Sequence, residues 1–264
     1  MRFFAKINYM FFKKLQPIKI KRLYFLLLLA TMVFLLIAWS IFELTTNDAK
    51  GKESVVKKIY YKTLCAIPIK PSIKLDVAYH HQQHSLSCEV ASLLMALNYK
   101  GVKVTEDELI KQLPISDPGP RSQNNTWGDP DLGFVGDIDG RMPDTGYGVY
   151  EKPIYDLALK YRPAKIMVNA TLADLIAELA NDNPVVVWGV VIGRTKDISW
   201  KTPEGKTIKA HLDEHARTLI GFTGQPKNPE LIILLDPLYG EVRLKTADFL
   251  KNWQLLENRA VVIY

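Results

Sequence analysis

The chain has 264 residues, of which 48% are hydrophobic, 10% aromatic and 23% charged. That is enough for one full globular domain with something extra, and no internal repeat or low-complexity segment points to a repeat or disordered protein. The formal net charge is +6, but seven basic residues and no acidic one precede position 23. Everything after that point carries about −1, so the basic balance belongs to the N-terminal tail and does not imply nucleic acid.

Residues 1–22 read as a basic tail. Residues 23–42, LYFLLLLATMVFLLIAWSIF, carry no charge and can cross a bilayer core of roughly 30 Å at about 1.5 Å per residue. A cleaved signal peptide has a shorter apolar region, about 7–15 residues, and a small-x-small site that AWSIFELTT lacks. A transmembrane anchor is therefore expected, with the tail cytoplasmic and the rest extracellular by the positive-inside rule. Residues 43–72 read as a polar stalk of mixed charge. Cys65 lies in the stalk and Cys88 at a helix start. Sequence alone does not pair them; two free thiols are expected, because a bond between them would disable any Cys88 chemistry.

Residues 73–264 make the folded domain. IKLDVAY (73–79) alternates like a strand. Ser85 and Ser87 offer N-caps for a helix over roughly 88–99, whose residues Val90, Ala91, Leu94, Met95 and Leu97 form a broad apolar face and which Gly101 stops. Thr105 with Glu108 makes a capping box for a second helix. Residues 114–150, rich in Gly, Pro, Asp and Asn, form a break of a length that is usually functional or disordered. Trp127, Phe134, Tyr147 and Tyr150 argue for order there, since such side chains seek burial, and Trp127, Phe134 and Tyr147 are expected to pack beside the cleft. A helix follows near 151–161, and another is capped by Thr171 with Asp174. Strands are predicted at 184–192, 216–224, 231–236, 240–245 and 259–264. Helices first and then a mostly antiparallel sheet make an α+β domain.

All five histidines fall in two clusters, His80, His81 and His84 beside Cys88, and His211 with His215 far downstream. A thiol needs a nearby imidazole or a helix N-terminus to favour the thiolate. Cys88 has the helix start, and His215, about 127 residues on, heads a strand at a separation near that of papain-like proteases. Asp236 closes LIILLD before Pro237, where a carboxylate could leave the sheet and fix the imidazole tautomer. Gln82 can offer its side-chain amide beside the Cys88 backbone N–H as an oxyanion donor. Singly, each has a plain structural reading: a small buried thiol, a satisfied histidine, an aspartate in a turn. Only their conjunction, in that chain order, points to chemistry.

VAYHHQQHSLSCEVASLLMALNYKGVKVTEDEL resembles the Gln-x5-Cys segment of the bacteriocin-processing cysteine peptidases. It is more similar to the C39-like papain-fold proteins of bacterial envelopes, in which Cys-Glu-Val and a helix ending in Asn-Tyr-x-Gly are frequent. GFVGDIDGRMPDTGYGVY, EHARTLIGF and LLDPLYGEVRLKTADFLKNW resemble that family's loop, His strand and Asp-Pro-x-x-Gly turn, so the likeness spans roughly 74–264. It implies a papain-like fold with an N-terminal helical part and a C-terminal antiparallel sheet, a peptide or protein substrate and no cofactor or metal. It also implies Gln82 as the oxyanion residue, Cys88 as nucleophile, His215 as general base and Asp236 as its orienter. Glu89 stands where the peptidase branch has Gly, and its carboxylate would disfavour a thiolate. No ATP-binding cassette follows, so a transporter-coupled role is not implied.

Two rivals stay open beside a membrane-anchored, externally facing cysteine peptidase or related thiol amide hydrolase. His211-Leu-Asp-Glu214-His215 spells H-x-x-E-H, a zinc-protease signature that works only on a helix. The β-branched, Gly-interrupted RTLIGFTG that follows reads as strand. The other rival is an envelope peptide-binding module that keeps the fold with a disabled thiol.

Overall fold

The computed structural model describes residues 72–191 and 195–264. The basic tail, the apolar run at 23–42, the stalk up to residue 71 and Cys65 lie outside the described residues. Among those described, no helix is long and apolar enough to cross a membrane.

A two-residue strand β1 (Ile73–Lys74) leads through extended chain to α1 (Cys88–Tyr99). The strand expected over 73–79 thus enters a ladder only at its start, where it meets the close backbone approach of Gly221. Every residue of α1 from Cys88 to Leu97 is buried, so α1 is a core helix enclosed on all sides rather than an amphipathic surface one. It ends where Gly101 takes φ +84°, a left-handed conformation that a Cβ would resist. Next comes α2 (Glu106–Ile110), opened by a capping box: Thr105 Oγ1 accepts from Glu108 N at 3.3 Å and Glu108 Oε2 accepts from Thr105 N at 2.8 Å.

The Gly- and Pro-rich stretch is ordered. It contributes β2 (Ile115–Asp117), β3 (Phe134–Gly136) and β4 (Gly146–Gly148), with β2 parallel and β4 antiparallel to β3. Aromatic burial explains why so polar a segment holds one shape: Trp127 and Tyr147 are fully buried and both meet Trp200 edge-on, at ring distances of 5.5 and 5.0 Å. Trp127, Phe134, Tyr147 and Tyr150 share one apolar cluster with Cys88.

Then follow α3 (Glu151–Leu159), β5 (Ala164–Met167), α4 (Leu172–Ala180), β6 (Val185–Val190) and a hairpin of β7 (Asp197–Lys201) with β8 (Thr207–His211). The chain closes with β9 (Glu214–Gln225), β10 (Asn228–Asp236), β11 (Gly240–Lys245), α5 (Thr246–Gln254) and β12 (Ala260–Ile263). The main sheet runs β11-β10-β9-β6-β12-β5, with β1 also paired to β9, and all its pairs are antiparallel. Alternation along β6 sorts the two faces. Val186, Trp188 and Val190 join the core that holds Cys88, while Val185 and Val187 join the core covered by α4 and α5. This is the α+β architecture expected from the sequence.

Candidate active site

Cys88 is the first residue of α1, with Ser87 at the N-cap. The Ser87 hydroxyl does not cap the helix; it donates to Glu106 Oε1 at 2.5 Å. Glu106, only 1% exposed, also accepts from His80 Nε2 at 2.5 Å and from Gln83 N at 3.1 Å. One buried carboxylate therefore ties residues 80–87 to α2 and leaves the first turn of α1 without a side-chain cap. Such N–H groups attract negative charge.

The thiol lies between a donor and an acceptor. Ala216 N donates to Cys88 Sγ at 3.4 Å, and Sγ donates to Glu89 Oε2 at 3.2 Å. The residue is 4% exposed. Burial first, then the charges of Glu89 and Glu214, push the Cys88 pKa well up, against the pull of the Ala216 amide. In this state Cys88 is a protonated thiol.

Ala216 follows His215 on β9, which brings the thiol to the strand that carries the imidazole. His215 Nε2 lies 2.9 Å from Asp236 Oδ1. Arg217 Nε donates to Asp236 Oδ2 at 2.7 Å, and Leu238 N donates to Oδ1 at 2.9 Å. Burial alone would raise the Asp236 pKa, but its partners His215 and Arg217 outweigh it and hold the group well below the usual carboxylate range. The β9–β10 ladder is last registered at Leu235 with Thr218, and Pro237, which has no N–H, cannot extend it. Asp236 is thus delivered where the two strands part. Sequence reasoning missed Arg217; its signal was the spacing of two from His215, which puts both side chains on one face of a strand.

Gln82 sits beside this turn, its backbone N donating to Pro237 O at 3.1 Å. Its side-chain Nε2 donates to His84 O at 2.8 Å and Ser85 O at 3.0 Å, while Oε1 is buried without a partner. Both amide hydrogens serve the loop that leads into Cys88, so the amide is not turned toward an oxyanion position in this state.

The zinc reading is overturned. His211 ends β8, Leu212 and Asp213 make the turn, and Glu214 and His215 open β9, so the five residues span a hairpin and not a helix. His211 Nδ1 lies 3.1 Å from Asp197 Oδ1 and His215 faces Asp236, so the two imidazoles do not converge. The upstream histidines also have separate partners: His81 bonds Tyr79 at 3.0 Å, and His84 bonds Asp139 at 3.1 Å, which raises its pKa. Glu214, a letter of the discarded motif, has another place. One ligating atom each from Cys88, Glu89 and Glu214 lie within 4.8 Å of one another.

With this geometry in hand, comparison with known proteins gives a definite result. Residues 74–261 match the Peptidase_C39 like family. The chain belongs to that family. The uncharacterized protein YvpB of Bacillus subtilis is 33% identical over 211 residues, 74% of this chain and 78% of that protein. A crystal structure of a Bacillus anthracis protein described as C39-like superposes with TM-score 0.64 at 26% identity, covering 74% of this chain and 98% of its own. The C39-like fold is thus the papain-type α+β fold, and a cysteine-peptidase type of function follows at the level of the family.

Proposed function

We propose that this protein is a membrane-anchored, externally facing cysteine peptidase, or a related thiol amide hydrolase, acting by acyl transfer through Cys88. The observation that carries the reading is the placing of Cys88 Sγ, at the uncapped start of α1, against the backbone N–H of Ala216, the residue that follows a His215 held by Asp236 on β9. Because Nε2 is bonded to Asp236, His215 exchanges its proton through Nδ1. It takes the thiol proton as Sγ attacks the carbonyl carbon and returns it to the leaving amine as the C–N bond breaks; water then cleaves the thioester. The Cys88 backbone N–H stabilises the oxyanion, and Gln82 joins it once its amide leaves the His84 and Ser85 carbonyls. A peptide or protein substrate follows from the family's type of chemistry. The anchor rests on the uncharged run at 23–42 and the basic residues before it.

A second reading, a peptide-binding module with a silenced thiol, is favoured by one feature, the two carboxyl groups beside Sγ. Cleavage of a mixed peptide substrate by the full chain in detergent, compared with Cys88→Ala, separates the two. Cleavage lost in the variant supports the peptidase. Equal cleavage by both refutes it, and binding without cleavage selects the module.

A further inference from the structure

Beside the thiol lies a buried acid pair for which acyl transfer through Cys88 and His215 has no use. Glu89 is the second residue of α1 and Glu214 the first of β9, and they are 0% and 2% exposed. Glu89 Oε1 accepts from Val149 N at 2.7 Å, and Oε2 accepts the Cys88 thiol. Neither oxygen of Glu214 has a hydrogen-bond donor among the described residues. Gly148 closes the pair from β4: a Cβ there would stand 2.5 Å from Glu89 Oε1 and 2.8 Å from Glu214 Oε2. Among the described residues, the charges of Arg217 and Arg259 reach Glu214 and lower its pKa, but burial and Glu89 outweigh them. Arg217 is engaged by Asp236, and Arg259 by Glu151 and Asp131 at 2.6 and 2.9 Å. The nearby Tyr147 and Tyr150 hydroxyls bond one another at 3.1 Å.

Two ionised carboxylates in contact and out of water repel strongly, and one proton held between them removes most of that cost. Burial acts in the same direction, pushing Glu89 up to about 7 and Glu214 well above its ordinary value.

Taking Cys88 as the reacting thiol, we propose that Glu89 and Glu214 share one proton and act as positioning residues that keep Cys88 protonated, so that this pair sets the pH at which the thiol becomes reactive. Thiolate formation adds a second negative charge to the cluster. Loss of the shared proton at higher pH adds a further one and opposes the thiolate again, which flattens the rise of reactivity with pH. Removing either carboxylate relieves that opposition.

The test is the rate of Cys88 alkylation by iodoacetamide between pH 5 and 9, on the full chain in detergent, with peptide mapping to distinguish Cys65 and with EDTA present or absent. Glu89→Gln and Glu214→Gln are each expected to speed the reaction at pH 8 to 9, where the wild type has lost the shared proton and a variant carries one carboxylate fewer, by at least tenfold, the change in thiolate fraction for about one unit of thiol pKa. Profiles that coincide with wild type in both variants overturn the proposal. So does an EDTA-dependent rate in the wild type, which would mean that a bound cation bridges the pair. Should either variant fail to fold, infrared spectroscopy of the wild type decides: a protonated-carboxyl C=O band at pH 7 is expected, and its absence overturns the shared proton. If cleavage needs Cys88 while the profiles coincide, the acid pair alone fails. If cleavage survives Cys88→Ala, the peptidase reading fails whatever the profiles show.

Discussion

His215 Nε2 stands 2.9 Å from Asp236 Oδ1 while Arg217 Nε holds the other carboxylate oxygen at 2.7 Å, so one buried aspartate is shared by two residues of the same strand face. The imidazole is oriented by a carboxylate that is itself fixed by a guanidinium. Asp236 therefore has a structural and a chemical duty that one substitution can separate.

Asp236→Asn is expected to lower kcat by roughly 10³ to 10⁴ with little change in KM, through loss of the carboxylate that fixes the His215 tautomer. It should also cost about 3–5 kcal/mol of stability, because Arg217 is left as a buried charge without its carboxylate. Steady-state kinetics and urea unfolding check the two parts. The depressed Asp236 pKa gives a sign as well: its stabilisation is present above the unfolded carboxyl pKa of about 3.9 and is lost as pH falls, so the variant should show a shallower acid limb.

The acid pair predicts the opposite trend. A Glu89 raised to about 7 in the folded protein stabilises it fully below its unfolded pKa of about 4.3, and that contribution is lost as pH rises through 7. The Tm of the wild type is expected to decline between pH 4.5 and 7.5, and Glu214→Gln to flatten the decline. A Tm equally pH-sensitive in both proteins would contradict this.

Much of this arrangement was legible in the residues. The apolar run of α1, its start at Cys88 and its stop at Gly101, the capping boxes at Thr105 and Thr171, and the main strands all carry local signals that tertiary packing reinforces. β5 is only four residues long, the β7–β8 hairpin is largely polar, and α5 opens after Lys245 with no side-chain cap, so these three had little to announce them. The site divides in the same way. Spacing singled out Cys88, Gln82, His215 and Asp236 as candidates, but spacing says nothing of what a side chain holds. That Gln82 gives its amide to two carbonyls, that Arg217 clasps Asp236 and that Glu214 faces Glu89 depend on strand register and on the approach of Gly148.

The aromatic core of the long loop carries its own consequence. Trp127 is fully buried, meets Trp200 and donates from Nε1 to Gly119 O at 2.8 Å. Trp127→Ala should cost about 3–5 kcal/mol and open residues 114–150 to limited proteolysis. A loss under 1 kcal/mol in urea unfolding would mean that the loop does not depend on this cluster.

The topology is tested on intact cells. Added protease is expected to remove the domain at 73–264 and spare a tag on the basic tail, as the positive-inside rule requires. A domain that survives until the cells are lysed would reverse the orientation.

The most direct measurement of the central claim is the intact mass of the protein during turnover of an activated peptide ester, with the modified residue located by fragmentation. The account predicts an acyl adduct on Cys88 that forms in the wild type, is absent in Cys88→Ala, and forms more slowly in His215→Ala. Hydrolysis that proceeds while Cys88 stays unmodified, or an adduct that forms at the same rate without His215, would contradict it.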